Sequence, residues 1–109
     1  MHRVIDGGKM SRAQRKRLDE IARIKRKLFM AQISLVDIDR EYGLPTGTAG
    51  NTLYEPHVAG ERAIAAALET RPNLLWFSRY HADGQRKSPQ PSDNYRNGRR
   101  ANTEKQVAA

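Results

Sequence analysis

A chain of 109 residues is one small domain with its tails, and a large multidomain enzyme is excluded. Twenty Lys and Arg against 12 Asp and Glu leave a net charge of +8, an excess that points to an anionic partner such as nucleic acid. Only 38% of residues are hydrophobic and Cys is absent, so a modest core must hold by packing, without a disulfide or a Cys-ligated zinc.

The charge is distributed unevenly. Residues 1–33 carry ten basic and three acidic side chains, residues 34–85 carry four and seven, and residues 86–109 carry six and two. Two basic ends therefore flank an acidic middle. The last stretch is rich in Pro, Gly and Asn and offers almost nothing to bury, so residues 83–109 are expected to form a disordered basic tail. Residues 1–10, with Gly7 and Gly8, read as a flexible leader, which leaves 11–82 as the folded unit. No apolar run approaches bilayer-spanning length and residues 1–10 lack the apolar centre of a signal peptide, so a cytoplasmic location and no membrane partner are expected.

Within 11–82 every strong period is helical. Ser11 can cap a first helix whose stripe Leu18, Ile21, Ile24 and Leu28 advances in steps of three and four, with Lys25, Arg26 and Lys27 largely off it. Ser34 followed by Asp37 is a capping signature for a short second helix that turns Leu35, Ile38 and Tyr42 inward and ends at Gly43. Pro45 keeps Leu44 out of the helical conformation, and Thr46 can then cap a third helix over 47–54, bounded by Pro56. An Ala-rich fourth helix is expected over 60–69. A last short helix starts at Pro72 and carries Leu74, Leu75 and Trp76. The expected fold is all-α, a compact five-helix bundle.

The second and third helices have the spacing of a lambda-repressor-like helix-turn-helix. Counting from Leu35, Gly43 falls at the ninth position, where the turn demands a positive φ; by itself it reads more readily as an ordinary helix C-cap. Asp39 stands where a small residue usually lets the helices approach, and Thr52 where a larger apolar residue is common. The solvent side of the third helix would present Thr46, Gly47, Thr48, Gly50, Asn51 and Tyr54. Asn51 can meet an adenine edge with donor and acceptor together, or be a neutral surface residue; none of the six is basic. Phosphate neutralisation is therefore assigned to Lys25, Arg26, Lys27, Arg40, Arg79 and the tails, with a surface ion pair as the alternative for Arg79. Trp76 and Tyr80 read as core rather than as stacking platforms. Two glycines in the third helix cost about 1 kcal/mol each relative to Ala, so full ordering on the target is expected.

The run from Ile33 through Tyr42-Gly43, then Gly60-Glu61, the stretch ALETRP at 67–72 and the sequence W-x-SRY at 76–80 resemble the Ner-like family of phage and bacterial helix-turn-helix regulators. The resemblance covers about 21–80, and its most specific part is ALETRP with W-x-SRY. It implies a small all-helical DNA-binding fold, operator binding, and negative regulation of early phage transcription or modulation of host promoters. Phe77 stands where the family usually has Pro, and Gly47 and Gly50 replace more helix-prone residues.

His2, His57 and His81 lie far apart and no metal-ligand spacing, nucleophile motif or phosphate-cradling glycine loop occurs, so no cofactor, metal or catalytic role is expected. The expected function is sequence-specific regulation of transcription, by repression, with double-stranded DNA as partner and the segment 47–54 in the major groove. No zipper-like stripe marks a dimer interface, so a homodimer is expected, if at all, on a palindromic operator. The competing reading is an RNA-binding accessory protein that uses its basic tails on a helical scaffold.

Overall fold

The computed structural model describes residues 10–96. Five α-helices follow in chain order, α1 Arg12–Ala31, α2 Leu35–Glu41, α3 Thr48–Thr52, α4 Val58–Ala67 and α5 Pro72–Leu75, and a 3-10 turn, Ser92–Asn94, comes last. No strand occurs among the described residues, where one antiparallel bridge joins Tyr80 to Arg86. The all-α, five-helix expectation holds. None of the described helices is long and apolar enough to cross a membrane.

The helix starts follow from side chains that satisfy free amides. Ser11 Oγ accepts from the Gln14 amide at 3.0 Å while Gln14 Oε1 accepts from the Ser11 amide at 3.1 Å, a reciprocal capping box that opens α1. Ser34 Oγ accepts from the Asp37 amide at 3.0 Å and opens α2. Helix α4 begins at Val58, two residues before the expected start, because His57 caps it: Nδ1 accepts from the Gly60 amide at 2.9 Å, and Glu61 Oε2 accepts from the His57 amide at 2.8 Å. Histidine is not among the usual capping residues, so the sequence gives little warning of this start.

Ile21, Ile24 and Leu28 of α1 meet Ile38 of α2, Ala49 and Leu53 around α3, Ala63, Ile64 and Ala65 of α4, and Leu75 and Trp76 in one buried cluster. Each such aliphatic side chain contributes about 1.5–3 kcal/mol on burial. Leu18 departs from the expected stripe and stays 47% exposed, and Tyr42 and Leu74 are also on the surface. The reason is the partner of α1: its first half faces a polar segment, so Glu20 turns inward instead and accepts from Ser78, at 2.9 Å from the amide and 2.6 Å from Oγ.

That polar segment corrects the expected boundary at 82. Residues 83–96 pack onto the bundle, with the 3-10 turn against α1 and with Gln90, Asn94 and Tyr95 buried. Hydrogen bonds rather than apolar area hold it. Gln90 Nε2 donates to the carbonyls of Arg79 at 3.0 Å and Lys87 at 2.8 Å, and Asn94 Nδ2 donates to the Ser78 carbonyl at 3.0 Å and to Gln90 Oε1 at 2.9 Å. The expected leader, apart from Met10, and the expected tail beyond 96 lie outside the described residues.

Two glycines set the position of α3. Gly43, at φ +67°, makes the turn after α2, a conformation that a Cβ would strain. Gly60 lets α4 touch α3: a Cβ there would lie 1.9 Å from Thr52 Oγ1 and 2.9 Å from Thr52 Cβ. Thr52, expected to be too small for its position, fills it from within, fully buried and donating from Oγ1 to the Thr48 carbonyl at 2.7 Å.

Candidate nucleic-acid interface

Five residues make a helix too short to hold itself, since nucleation is costly and few internal bonds repay it. Helix α3 is fixed from outside, at both ends. The buried carboxylate of Asp39 on α2 accepts from the Gly47 amide at 2.7 Å and the Ala49 amide at 2.8 Å, so it caps α3 across the turn. Gly47 sits at φ +95° as the N-cap and Thr46 makes no cap at all, which corrects both the expected capping role of Thr46 and the expected extent of the helix, 47–54. At the other end Arg79 Nη2 donates to the Leu53 carbonyl at 3.3 Å and Arg17 Nη2 donates to the Tyr54 carbonyl.

Arg79 is therefore not a phosphate contact. Its side chain is 2% exposed, ion-paired to Glu61 at 3.2 Å and stacked on Trp76 with the guanidinium 5.0 Å from the ring centroid. Both sequence-based roles for it, phosphate contact and surface pair, are corrected by this burial. Glu61 is the hub of the arrangement. Besides Arg79 it accepts from Tyr80 Oη at 2.8 Å and from Arg86 Nε and Nη2, both at 3.1 Å. Burial pushes its carboxyl up, but the hydrogen bonds of Arg86 and Tyr80 and the charges of Arg79 and Arg86 outweigh that and hold it below the usual carboxylate value. Burial and the bond to Glu61 push the Tyr80 phenol up to about 12.

On the solvent side, Lys25, Leu35, Gly47, Gly50, Asn51, Leu53, Tyr54 and Arg96 line one open groove. Thr46 and Asn51 are exposed, whereas Thr48 and Tyr54 are half-buried. The Lys25 ammonium lies 5.4 Å from the centroid of the Tyr54 ring. Arg26 and Lys27 do not join it; they line a separate shallow cleft with Arg23 and Met30. The basic trio of α1 thus divides, because consecutive helical residues point about 100° apart and only Lys25 is on the α3 side. Arg40 stands on the exposed face of α2 in an ion pair with Asp37 at 2.8 Å. Arg96, which sequence reasoning left in a tail, enters the groove and its Nη2 donates to Asn51 Oδ1. Among the described residues no cluster of His, Asp or Glu is placed to hold a metal ion.

Residues 19–92, which run from within α1 to the first residue of the 3-10 turn, match the winged helix-turn-helix DNA-binding family. The chain belongs to that family. Where a wing is named, the described residues of this winged helix-turn-helix protein hold a tight turn at 79–87, tied by the Lys87 amide on the Arg79 carbonyl at 2.9 Å and the His81 amide on the Gln85 carbonyl at 2.7 Å. The chain is 39% identical over 66 residues to the negative regulator of transcription of Escherichia phage Mu, covering 61% of this chain and 83% of that protein, which bears out the Ner-like resemblance. It is 44% identical over 48 residues to sugar fermentation stimulation protein B of Escherichia coli, covering 44% of this chain and 52% of that relative. The same values relate it to the protein of that name from Shigella flexneri. No solved structure matches the chain.

Proposed function

We propose that this winged helix-turn-helix protein represses transcription by binding an operator in duplex DNA, with residues 46–51 of the α3 region directed to base edges in the major groove. The observation that carries the reading is a short helix tied at both ends by buried charges, with Thr46 exposed ahead of it and Asn51 exposed in the groove that Lys25 also lines. A rigid, uncharged reading surface next to a phosphate-seeking cation divides the work as groove readers do: base edges for specificity, backbone for affinity. The direction of regulation rests on the phage relative, which is named a negative regulator. Asn51 is assigned the base contact; Lys25 and Arg40 are assigned phosphates, with Arg26 and Lys27 as more distant cations. Two protomers on a palindrome are the arrangement expected for such a unit.

Selection of bound duplexes from a random pool, followed by gel shift, tests this. One enriched sequence or a pair of half-sites a helical turn apart is expected, with structured RNA competing poorly because its deep major groove excludes a helix. Asn51→Ala should lower the preference for that sequence about tenfold or more while leaving scrambled duplex binding in place. A promoter carrying the selected site should be silenced by the chain in a transcription assay. Equal losses on selected and scrambled duplexes would remove Asn51 from the reading surface.

A further inference from the structure

Nothing that α3 itself shows to solvent is basic, so the helix lacks the pair of donors that identifies guanine by its O6 and N7. Such donors reach the same surface from elsewhere in the chain. Arg96 lies beyond the family match, which ends at residue 92. Tyr95 beside it is buried, and the Arg96 amide donates to Glu55 Oε2 at 3.3 Å, so the backbone here is fixed to the loop that follows α3. The Arg96 side chain, 54% exposed, then lies in the open groove that Gly47, Gly50 and Asn51 also line. Its Nη2 donates to Asn51 Oδ1, its Nε is 3.7 Å from Glu55 Oε2, and its guanidinium is 5.3 Å from the centroid of the Tyr54 ring.

Each contact has a consequence for recognition. A guanidinium held over an aromatic face and beside a carboxylate keeps a defined plane, so it has less rotamer freedom to lose on binding. Gly50 leaves the space in front of α3 open, since even a Cβ there would meet nothing within 4 Å. The bond to Asn51 pairs a donor with the acceptor that an adenine amino group would otherwise engage, so Arg96 already sits where a base edge is read. A cation that served phosphates alone would need no alignment with a base-reading amide.

We propose that Arg96 is a specificity-determining residue that reads a guanine beside the base met by Asn51, so that the recognition surface is a composite of α3 and the chain returning to it. The proposal rests on the reading above in requiring that α3 enters the major groove. On the operator, Asn51 exchanges the Arg96 guanidinium for an adenine edge, and the guanidinium so released turns its donors to O6 and N7 of the neighbouring guanine.

The test is selection of bound duplexes from a random pool by the full chain and its variants, followed by gel shift against single-base changes in the enriched site. The unaltered chain should enrich a G·C pair beside the pair whose preference Asn51→Ala abolishes. Arg96→Ala should lose about tenfold in preference at that G·C pair and keep the others. Arg96→Gln should turn the preference there toward adenine, because a side-chain amide matches the adenine N6 and N7. Equal losses by Arg96→Ala on selected and scrambled duplexes, with every base preference intact, would assign Arg96 to the backbone and overturn the proposal, as would binding that does not change. Failure of the underlying reading looks different: the unaltered chain would then enrich no sequence at all, and the proposal would fall with it.

Discussion

At Asp39 one carboxylate with 4% exposure accepts from two amides, Gly47 and Ala49, that open α3. Charged acceptors are worth more than neutral ones, and deleting this one leaves two buried donors without partners. Asp39→Ala should cost about 2–3 kcal/mol of stability. The loss should be local first: hydrogen exchange at the amides of Gly47 and Ala49 should accelerate more than at α4, and preference for a selected duplex should fall while low-salt affinity, set by the surface cations, persists. Uniform acceleration across the bundle would show instead that the carboxylate supports the whole fold. From the sequence, Asp39 looked like a poor substitute for a small residue. Spacing shows that position 39 lies near the third helix, but it does not show that the amide of residue 47 needs a partner there. Arg79 was misread for the same reason. An Arg beside Ser and Tyr resembles a surface cation until Glu61, 18 positions earlier, is known to be buried against it.

Among the elements, the contact between α3 and α4 tolerates no added atom. Gly60→Ala drives a methyl against Thr52, whose own side chain is buried and bonded to the Thr48 carbonyl. The strain should cost about 1–3 kcal/mol, read as a lower urea midpoint. Adding Thr52→Ala should recover part of it, so the two substitutions should be strongly non-additive; additivity would place the strain elsewhere. The helices themselves were legible because period and capping residues are local. Two starts were not: α4 opens on a histidine cap, and α3 opens on a side chain from another helix. The segment 83–96 was missed because composition counts apolar area, whereas Gln90 and Asn94 fasten it through amide bonds to distant carbonyls. Two of the stretches that carried the family resemblance turn out to be structural, since Gly60, Glu61, Trp76, Arg79 and Tyr80 form linked contacts behind α3, and Ser78 bonds Glu20 of α1.

For the molecule as a whole, Glu61 couples stability to pH. Its carboxyl is held below the ordinary value of 4.5, so the stabilisation it provides is complete above that pH and is lost as pH falls through the lower folded value. Protonation also adds to a chain already at +8, which worsens self-repulsion on the acid side. Tyr80 acts at the other limit. Its phenol is raised from 10.0 to about 12, so its contribution is full below pH 10 and fades as pH climbs toward 12. Urea midpoints measured across pH should therefore fall at both ends. Glu61→Gln should lower stability at neutral pH by about 3–5 kcal/mol, because it leaves the buried Arg79 and the half-buried Arg86 without their carboxylate, and should flatten the acid limb. Tyr80→Phe should flatten the alkaline limb and, by removing one of the bonds that hold the Glu61 carboxyl low, soften the acid limb as well. An acid limb of native steepness in Glu61→Gln would assign the acid sensitivity to other carboxylates.

Because α3 is held by Asp39 on one side and by Arg17 and Arg79 on the other, the residues that keep it in place are not the ones it shows to solvent. Thr46, Gly50 and Asn51 are thus interchangeable cargo on a fixed mount. Libraries randomised at these three sites should yield well-folded chains with new operator preferences, whereas randomising the mount should yield chains that recognise nothing.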